Sequence, residues 1–85
     1  MPEAVFHPEF REDLQSWAKA DAGVARRVIE LVEDTLRDPR SGAGRPTALK
    51  GVLEGCYSRR ITLQHRLVYR VAGERVHFLL AKYHW

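Results

Sequence analysis

A nine-residue stretch, 38–46, holds two prolines and two glycines and divides this 85-residue chain into halves with different hydrophobic patterns. Before it, apolar residues recur every three or four positions, which is typical of amphipathic helices. After it, aromatic and β-branched residues form short runs, which are typical of strands. Because Pro39 also disfavours a helical residue before it, the pattern predicts an α+β fold, with a helical half followed by a strand half.

The helical half predicts a short strand and then two helices. The strand covers residues 4–7, and Pro8 suits the first turn of the helix that follows. The apolar face of this helix is formed by Phe10, Leu14 and Trp17. Residues 21–23 interrupt the pattern, and a second helix, with apolar residues at 24, 28, 31, 32 and 36, ends before Pro39. A joint this short predicts an antiparallel helix hairpin.

Three strand-like runs follow the loop and predict a three-stranded antiparallel meander. They cover residues 57–61, 65–71 and 76–81, with turns at 62–64 and 72–74. Side chains alternate between the two faces of a sheet, so Arg66 is expected to point away from Leu67 and Tyr69. If the helices cover the other face, Arg66 lies on the open face of a mostly antiparallel sheet.

Length and cysteine content narrow the class of protein. Eighty-five residues make one small domain, 1–85, near the lower limit for a chain that folds on its own core. Cys56 is the only cysteine, which excludes an internal disulfide and fits a reducing compartment, so a cytoplasmic location is expected. A buried, inert thiol is favoured over a nucleophile. No run reaches the roughly 20 apolar residues of a membrane span, so no membrane association is expected.

Charge is distributed unevenly along the chain and favours a polyanionic partner. Residues 1–44 contain six Lys/Arg and nine Asp/Glu, whereas residues 45–85 contain eight Lys/Arg and two Asp/Glu. The basic residues expected at the sheet face are Lys50, Arg59, Arg60, Arg66 and Arg70. Guanidinium groups bind phosphates, and the rings of Tyr57, Tyr83 and Trp85 offer surfaces on which unpaired bases can stack. Single-stranded RNA is the favoured ligand class, and a merely solvated basic face is the alternative.

The sequence predicts no metal site and no cofactor. The four histidines show no close metal-ligand spacing, and no Cys/His pair is present. His7 and His77 are expected to be structural or exposed. The loop that contains Gly42 and Gly44 lacks the full phosphate-loop pattern and does not predict a phosphate cradle.

Short motifs run along the whole chain. The helical half contributes Trp17, Asp21, Arg26, Arg27, Leu31, Asp34, Arg37, Asp38 and Pro39. The strand half contributes Gly42, Gly44, Arg45, Pro46, Leu49 and Lys50, then SRRI at 58–61, HRLVY at 65–69 and a terminal YH followed by an aromatic residue. Together these motifs resemble those of the YoeB/Txe-type toxins of bacterial type II toxin–antitoxin pairs, within the RelE-like ribonuclease superfamily. Each motif alone is weak, whereas the combination is specific.

The resemblance implies a RelE-like fold and a metal-independent, ribosome-dependent endonuclease that cleaves mRNA in the ribosomal A site by 2′-hydroxyl attack. Arg66 matches the transition-state arginine of the family and His84 its general acid, so both are expected to be catalytic. Lys50 and Arg60 match positions that contact the RNA backbone, and Trp85 stands where the family usually has a tyrosine. These three residues are expected to bind substrate.

The resemblance also implies partners. An acidic, partly disordered YefM-like antitoxin, encoded beside the toxin, is expected to silence it. Operator DNA would be bound only through the toxin–antitoxin complex. A homodimer is a further expectation.

One position departs from the family pattern. The glutamate that serves as general base in the family is Thr47 here, and a threonine hydroxyl is a poor base near neutral pH. Cleavage is therefore expected to be weakened. Glu54, His65 or His84 could replace the base, or the ribosome or a water could assist. The alternative function is a catalytically inactive module that occludes the ribosome or binds the antitoxin.

Overall fold

The computed structural model describes residues 2–84 and packs two helices against one face of a five-stranded sheet. The helices are α1 (Pro8–Ala20) and α2 (Ala22–Arg37). The strands are β1 (Glu3–Phe6), β2 (Thr47–Ala48), β3 (Cys56–Arg60), β4 (His65–Ala72) and β5 (Arg75–His84). Their spatial order is β1-β5-β4-β3-β2; β1 pairs in parallel with β5, and the other pairs are antiparallel. The predicted α+β architecture with its meander is confirmed.

A single residue joins the two helices. The Asp21 carboxylate accepts hydrogen bonds from the N–H groups of Gly23 and Val24, at 3.1 and 3.3 Å. This cap satisfies donors of the first turn of α2, which would otherwise lack partners. The break predicted over 21–23 is therefore shorter in the structure, because Ala22 and Gly23 already belong to α2.

The main hydrophobic core lies between the helices and one face of the sheet. Its most deeply buried members are Phe10, Val28, Leu31, Leu67, Tyr69, Val76, Phe78 and Ala81. Leu14 and Trp17 pack against this core, as their helical spacing predicts. At roughly 1.5–3 kcal/mol for each fully buried large apolar side chain, the cluster is the principal source of stability.

Strand β5 is longer and less regular than the predicted run at 76–81. It continues to His84, where it still pairs with β4. Two shifts in the β4–β5 register each insert one extra residue into β5. As a result Leu80 packs on the face away from the helices, whereas its neighbour Ala81 belongs to the main core.

Arg59 is buried beside α2 and does not belong to the basic surface, so that part of the predicted cluster is wrong. The residue is 0% exposed. Its guanidinium donates to Asp34 Oδ2 at 2.7 Å and is also within 3.2 Å of the Tyr69 hydroxyl. Its remaining acceptors are the carbonyl oxygens of Asp38, Ser41 and Ala43. One buried cation thus organises the irregular segment that connects α2 with β2, where these carbonyls have no helix or sheet to pair them.

The glycines of this connecting loop are explained by the same packing. Gly42 and Gly44 have φ angles of 116° and 81°, a backbone region that other residues rarely adopt. A Cβ atom on Gly42 would lie 2.3 Å from Asp34 Oδ2, and one on Gly44 would lie 3.0 Å from Arg59 Cβ. The loop therefore needs glycine in order to approach the Arg59–Asp34 pair closely.

The face of the sheet away from the helices is only partly open. Val68 is fully buried there, and Cys56 packs beside it, which confirms that the thiol is buried. The other apolar residues of this second cluster are Leu49, Leu53, Leu79, Leu80 and Tyr83. Because Leu49 and Leu53 come from the chain that follows β2, this segment covers part of the face that the sequence predicts to be open.

Candidate functional site

Strand pairing brings three of the predicted site residues, Thr47, Arg60 and Arg66, to one face of the sheet. Thr47 pairs with Ser58, and Arg60 pairs with Arg66, which in turn pairs with Tyr83. Directly paired residues share a face, and positions two apart on one strand do so as well. Thr47, Ser58, Arg60, Arg66 and Tyr83 therefore lie together on the face away from the helices.

Arg66 lies on the predicted face but is only 7% exposed. Its Nη1 donates to the Ser58 hydroxyl at 3.1 Å, and Ser58 itself is fully buried. The expectation of an open position is therefore wrong at this residue. Burial lowers the pKa of Arg66, and the neighbouring positive charges of Arg60 and Arg45 lower it further. A guanidinium remains charged at neutral pH despite such a shift.

The positive charge of Arg45 also acts on Arg66, an influence that the sequence did not predict. Arg45 has a φ of 54°, in the left-handed region that non-glycine residues seldom occupy. The Thr47 hydroxyl donates to the Arg45 carbonyl at 2.8 Å and so stabilises this turn.

The residues that the sequence predicts to bind substrate lie at different places in the fold. Lys50 and Arg60 are exposed, the first immediately before a one-turn 3-10 helix, Gly51–Leu53, and the second at the end of β3. Glu54, one of the candidates for a replacement base, follows that turn and is exposed. Trp85 lies outside the described residues.

His84 lies at the same end of the sheet as Arg66, but its side chain is on the opposite face of the sheet. It pairs with His65, and the two imidazole rings are 5.7 Å apart between centroids in an edge-to-face arrangement. His65 also contacts Trp17 of α1, with ring centroids 5.0 Å apart. The face that carries His84 is therefore the helix side, and Arg66 and His84 approach each other only where the β4–β5 ladder ends.

Helix α1 holds β5 three residues before His84. The Ala81 N–H donates to Asp13 Oδ2 at 2.9 Å, and the Trp17 indole N–H donates to the Ala81 carbonyl at 2.7 Å. These contacts replace ladder bonds at the irregular part of β5. Lys82 adds a hydrogen bond from Nζ to the Ser16 hydroxyl, and this ammonium lies 4.8 Å from the centre of the Trp17 ring.

The other histidines form a separate pair, which fits the structural role predicted for them. His7 Nε2 and His77 Nδ1 are 2.9 Å apart. Burial lowers the pKa of His77, and the charges of Arg70, His7 and Arg75 act in the same direction. Within residues 2–84, no group of three or more His, Cys, Asp and Glu side chains is arranged to hold a metal ion. No helix in this part of the chain is both long and apolar enough to cross a membrane.

Several known proteins are similar to this chain in sequence and in fold. A family model for the YoeB-like toxin of bacterial type II toxin–antitoxin systems matches residues 6–85. Toxin YoeB of Mycobacterium bovis is 46% identical over 80 residues, which are 94% of this chain and 94% of that protein. The structure of a YoeB/ParE toxin from Agrobacterium tumefaciens has a TM-score of 0.90 and 33% identity, covering 98% of this chain and 99% of that one.

Two structures from Staphylococcus aureus are similarly close. A chain of the heterotetrameric YoeB–YefM toxin–antitoxin complex has a TM-score of 0.86 and 34% identity, covering 100% of this chain and 99% of that one. The structure of the YoeB dimer has a TM-score of 0.88 and 34% identity, covering 99% of this chain and 98% of that one.

The helix hairpin and mixed sheet define a toxin of the RelE-like structural class. Within that class, the chain belongs to the YoeB-like toxins of bacterial type II toxin–antitoxin systems.

Proposed function

We propose that this toxin is an endoribonuclease that cleaves mRNA in the A site of the ribosome and so inhibits translation. The observation that carries the proposal is the pair of guanidiniums, Arg60 and Arg66, on the face of the sheet away from the helices, with the positive charge of Arg45 also acting on Arg66. Arg66 is held by buried Ser58. A pre-organised cation at a partly desolvated position stabilises developing negative charge better than one in bulk water does.

The reaction would proceed by attack of the 2′-oxygen on the adjacent phosphorus. The 2′-hydroxyl proton passes to a base, the P–O5′ bond breaks, and His84 donates a proton to the departing 5′-oxygen. The products are a 2′,3′-cyclic phosphate and a 5′-hydroxyl end. Arg66 would stabilise the pentacovalent phosphorane, and an imidazole is a common proton donor in catalysis.

The arrangement of the strands restricts where the reacting phosphate can bind. Arg66 and His84 lie on opposite faces, next to the end of the β4–β5 ladder. A phosphate that reaches both must therefore sit at this end of the sheet, beside the turn that joins β3 to β4. Exposed Lys50 and Arg60 would then hold the RNA backbone on the approach to it, and Trp85 is proposed to stack on a base.

Replacing Arg66 tests the catalytic proposal. Arg66→Ala is expected to slow single-turnover cleavage of mRNA on programmed ribosomes by about 10²- to 10³-fold, the usual cost of removing one transition-state donor. RNA ends mapped by primer extension give the cleavage site and its rate. Arg70→Ala is the matched control, since Arg70 lies on the same strand and face but is exposed and four residues away. Equal rates for Arg66→Ala and the wild type would contradict the role of Arg66.

Thr47 keeps a second function open, namely that the protein blocks translation by occupying the A site without cutting RNA. Its hydroxyl proton is directed to the Arg45 carbonyl, and hydroxyls are poor bases. Arrest of translation without new RNA ends would favour occupancy, whereas new ends with a 2′,3′-cyclic phosphate would favour cleavage.

We also propose that an acidic YefM-like antitoxin inhibits this toxin in the cytoplasm, and that the complex, rather than the toxin, contacts operator DNA. The related S. aureus toxin was crystallised with YefM, and residues 45–85 carry eight Lys/Arg against two Asp/Glu. An extended acidic segment would complement the basic face. Whether toxin copies also dimerise can be measured by light scattering.

Antitoxin binding is expected to depend on charge. Arg60→Glu should weaken binding of the antitoxin, because it places a negative charge beside Arg66 on the basic face. Titration calorimetry at two salt concentrations measures the effect, and Arg26→Glu, on exposed α2 surface, serves as the control. Equal affinities for the two variants would place the antitoxin elsewhere on the toxin.

A further inference from the structure

We propose that His65 is a positioning residue that holds the His84 imidazole in the orientation needed to protonate the leaving group. This inference rests on the proposed nuclease function and deepens it. The relevant residues form a continuous stack of three rings, Trp17, His65 and His84, at the end of the sheet.

The geometry of the stack leaves the His65 ring little freedom. Its plane meets the Trp17 ring at 80° and the His84 ring at 81°, so it presents an edge-to-face contact on each side. Such pairs contribute beyond the burial of their surface, and they fix ring orientation as well as distance. His65 is half-buried, whereas His84 is exposed. The His65 ring, which these contacts hold in place, thus lies next to His84, the proposed acid.

A hydrogen bond from the turn between β3 and β4 fixes the tautomer of His65. The Thr62 hydroxyl oxygen accepts from the N–H groups of Gln64 and His65, at 3.2 and 3.1 Å. Its own hydrogen is therefore available for His65 Nδ1, which lies 3.3 Å away. With Nδ1 as acceptor, neutral imidazole carries its hydrogen on Nε2. The turn therefore sets which nitrogen of His65 is a donor.

The other end of the stack is tied to the backbone of β5. The Trp17 ring that contacts His65 also donates its N–H to the carbonyl of Ala81. Asp13 accepts from the Ala81 N–H, so both polar groups of that peptide position are bound by α1. Helix α1, His65 and the strand that carries His84 are consequently linked in one closed loop of contacts. The exposed His84 at the end of β5 gains a defined position from a rigid neighbour.

A substrate with sulfur in place of the scissile 5′-oxygen tests this role directly. A thiolate departs without a proton, since thiols have pKa values near 8.5, so cleavage of this RNA needs no general acid. His65→Ala is expected to slow cleavage of natural mRNA by about 10- to 100-fold through misplacement of His84. The same variant should cleave the sulfur-containing mRNA at a rate close to that of the wild type, as should His84→Gln. Arg66→Ala should remain slow on both substrates.

Two further measurements separate positioning from damage to the fold. His65→Phe retains a ring between Trp17 and His84 and should keep most of the activity that His65→Ala loses. In the wild type, nuclear Overhauser contacts between the two imidazoles and a ring-current shift of the His84 protons should appear, and both should vanish in His65→Ala.

If the defect of His65→Ala persists on the sulfur-containing mRNA, or if the histidine rings show no contact, the positioning role is overturned. Failure of the wild type to cleave either RNA would instead overturn the proposed nuclease function itself, together with this inference.

Discussion

Thr47→Glu is expected to raise the rate of mRNA cleavage by about 10²- to 10⁴-fold, the usual contribution of a general base. Thr47 pairs with Ser58, whose hydroxyl holds Arg66, so a carboxylate at position 47 would start from the face where the proposed reaction occurs. The guanidiniums of Arg45, Arg60 and Arg66 would keep it ionised. Thr47 is exposed, which leaves room for the longer side chain. Single-turnover cleavage on programmed ribosomes measures the gain.

Thr47→Gln is the matched control, because glutamine has the shape of glutamate without its basicity. It removes the hydrogen bond to the Arg45 carbonyl just as Thr47→Glu does. A gain confined to Thr47→Glu would show that position 47 remains competent for proton abstraction. Equal rates for Thr47→Glu, Thr47→Gln and the wild type would mean that the base comes from another group, with Glu54 as the candidate within the chain that has no other proposed role.

The helices and the meander could be predicted from the sequence because their hydrophobic periods extend over many residues. Phe10, Leu14 and Trp17 define the face of α1 at helical spacing, and all three pack on the main core. Strand β2 could not be predicted, since two residues, Thr47 and Ala48, are too few to show an alternation. Its existence depends on pairing with β3, which is a tertiary contact.

Prediction of the site was limited because the identity of a residue does not show whether its side chain is buried or which residue it pairs with. Strand alternation correctly places Arg66 on the face opposite Leu67 and Tyr69. The same reasoning gives no sign that Arg59 lies buried against Asp34, since an arginine in a strand pattern is usually exposed. A buried arginine would be indicated only by a suitably placed acid, and Asp34 is 25 residues away in sequence.

The faces that Leu80 and Ala81 occupy could be assigned only from the structure. A strict alternation along β5 would put Leu80 on the same face as Val76 and Phe78. The register shift between Phe78 and Leu80 instead brings Ala81 to the main core and Leu80 to the other side. The second shift, between Leu80 and Tyr83, returns His84 to the face that a strict alternation gives it. Bulges of this kind depend on backbone pairing and on the side chains of α1 that satisfy Ala81, so the sequence of β5 alone cannot predict which faces Leu80 and Ala81 occupy.

The buried pair of Arg59 and Asp34 is expected to dominate the response of stability to mutation. Arg59 is 0% exposed and the Asp34 side chain 23%, and their charged atoms are 2.7 Å apart. The Ala43 N–H, and then the guanidiniums of Arg37 and Arg59, lower the pKa of Asp34 to about 2. The unfolded chain therefore binds a proton at Asp34 more readily than the folded one does. This contribution to stability is present above about pH 4 and is lost as the pH falls toward 2.

Asp34→Ala is consequently expected to lower the free energy of unfolding by about 3–5 kcal/mol at neutral pH, because it leaves the Arg59 charge buried without its counter-charge. That is a large part of the 5–15 kcal/mol that stabilises a typical domain. Arg37→Ala, which removes only an exposed partner of the same carboxylate, should cost less than about 1 kcal/mol. Denaturant unfolding measures both variants, and the loss of stability between pH 4 and pH 2 should be smaller in Asp34→Ala than in the wild type. Similar free energies for the two variants would show that the backbone carbonyls around Arg59 compensate its charge without Asp34.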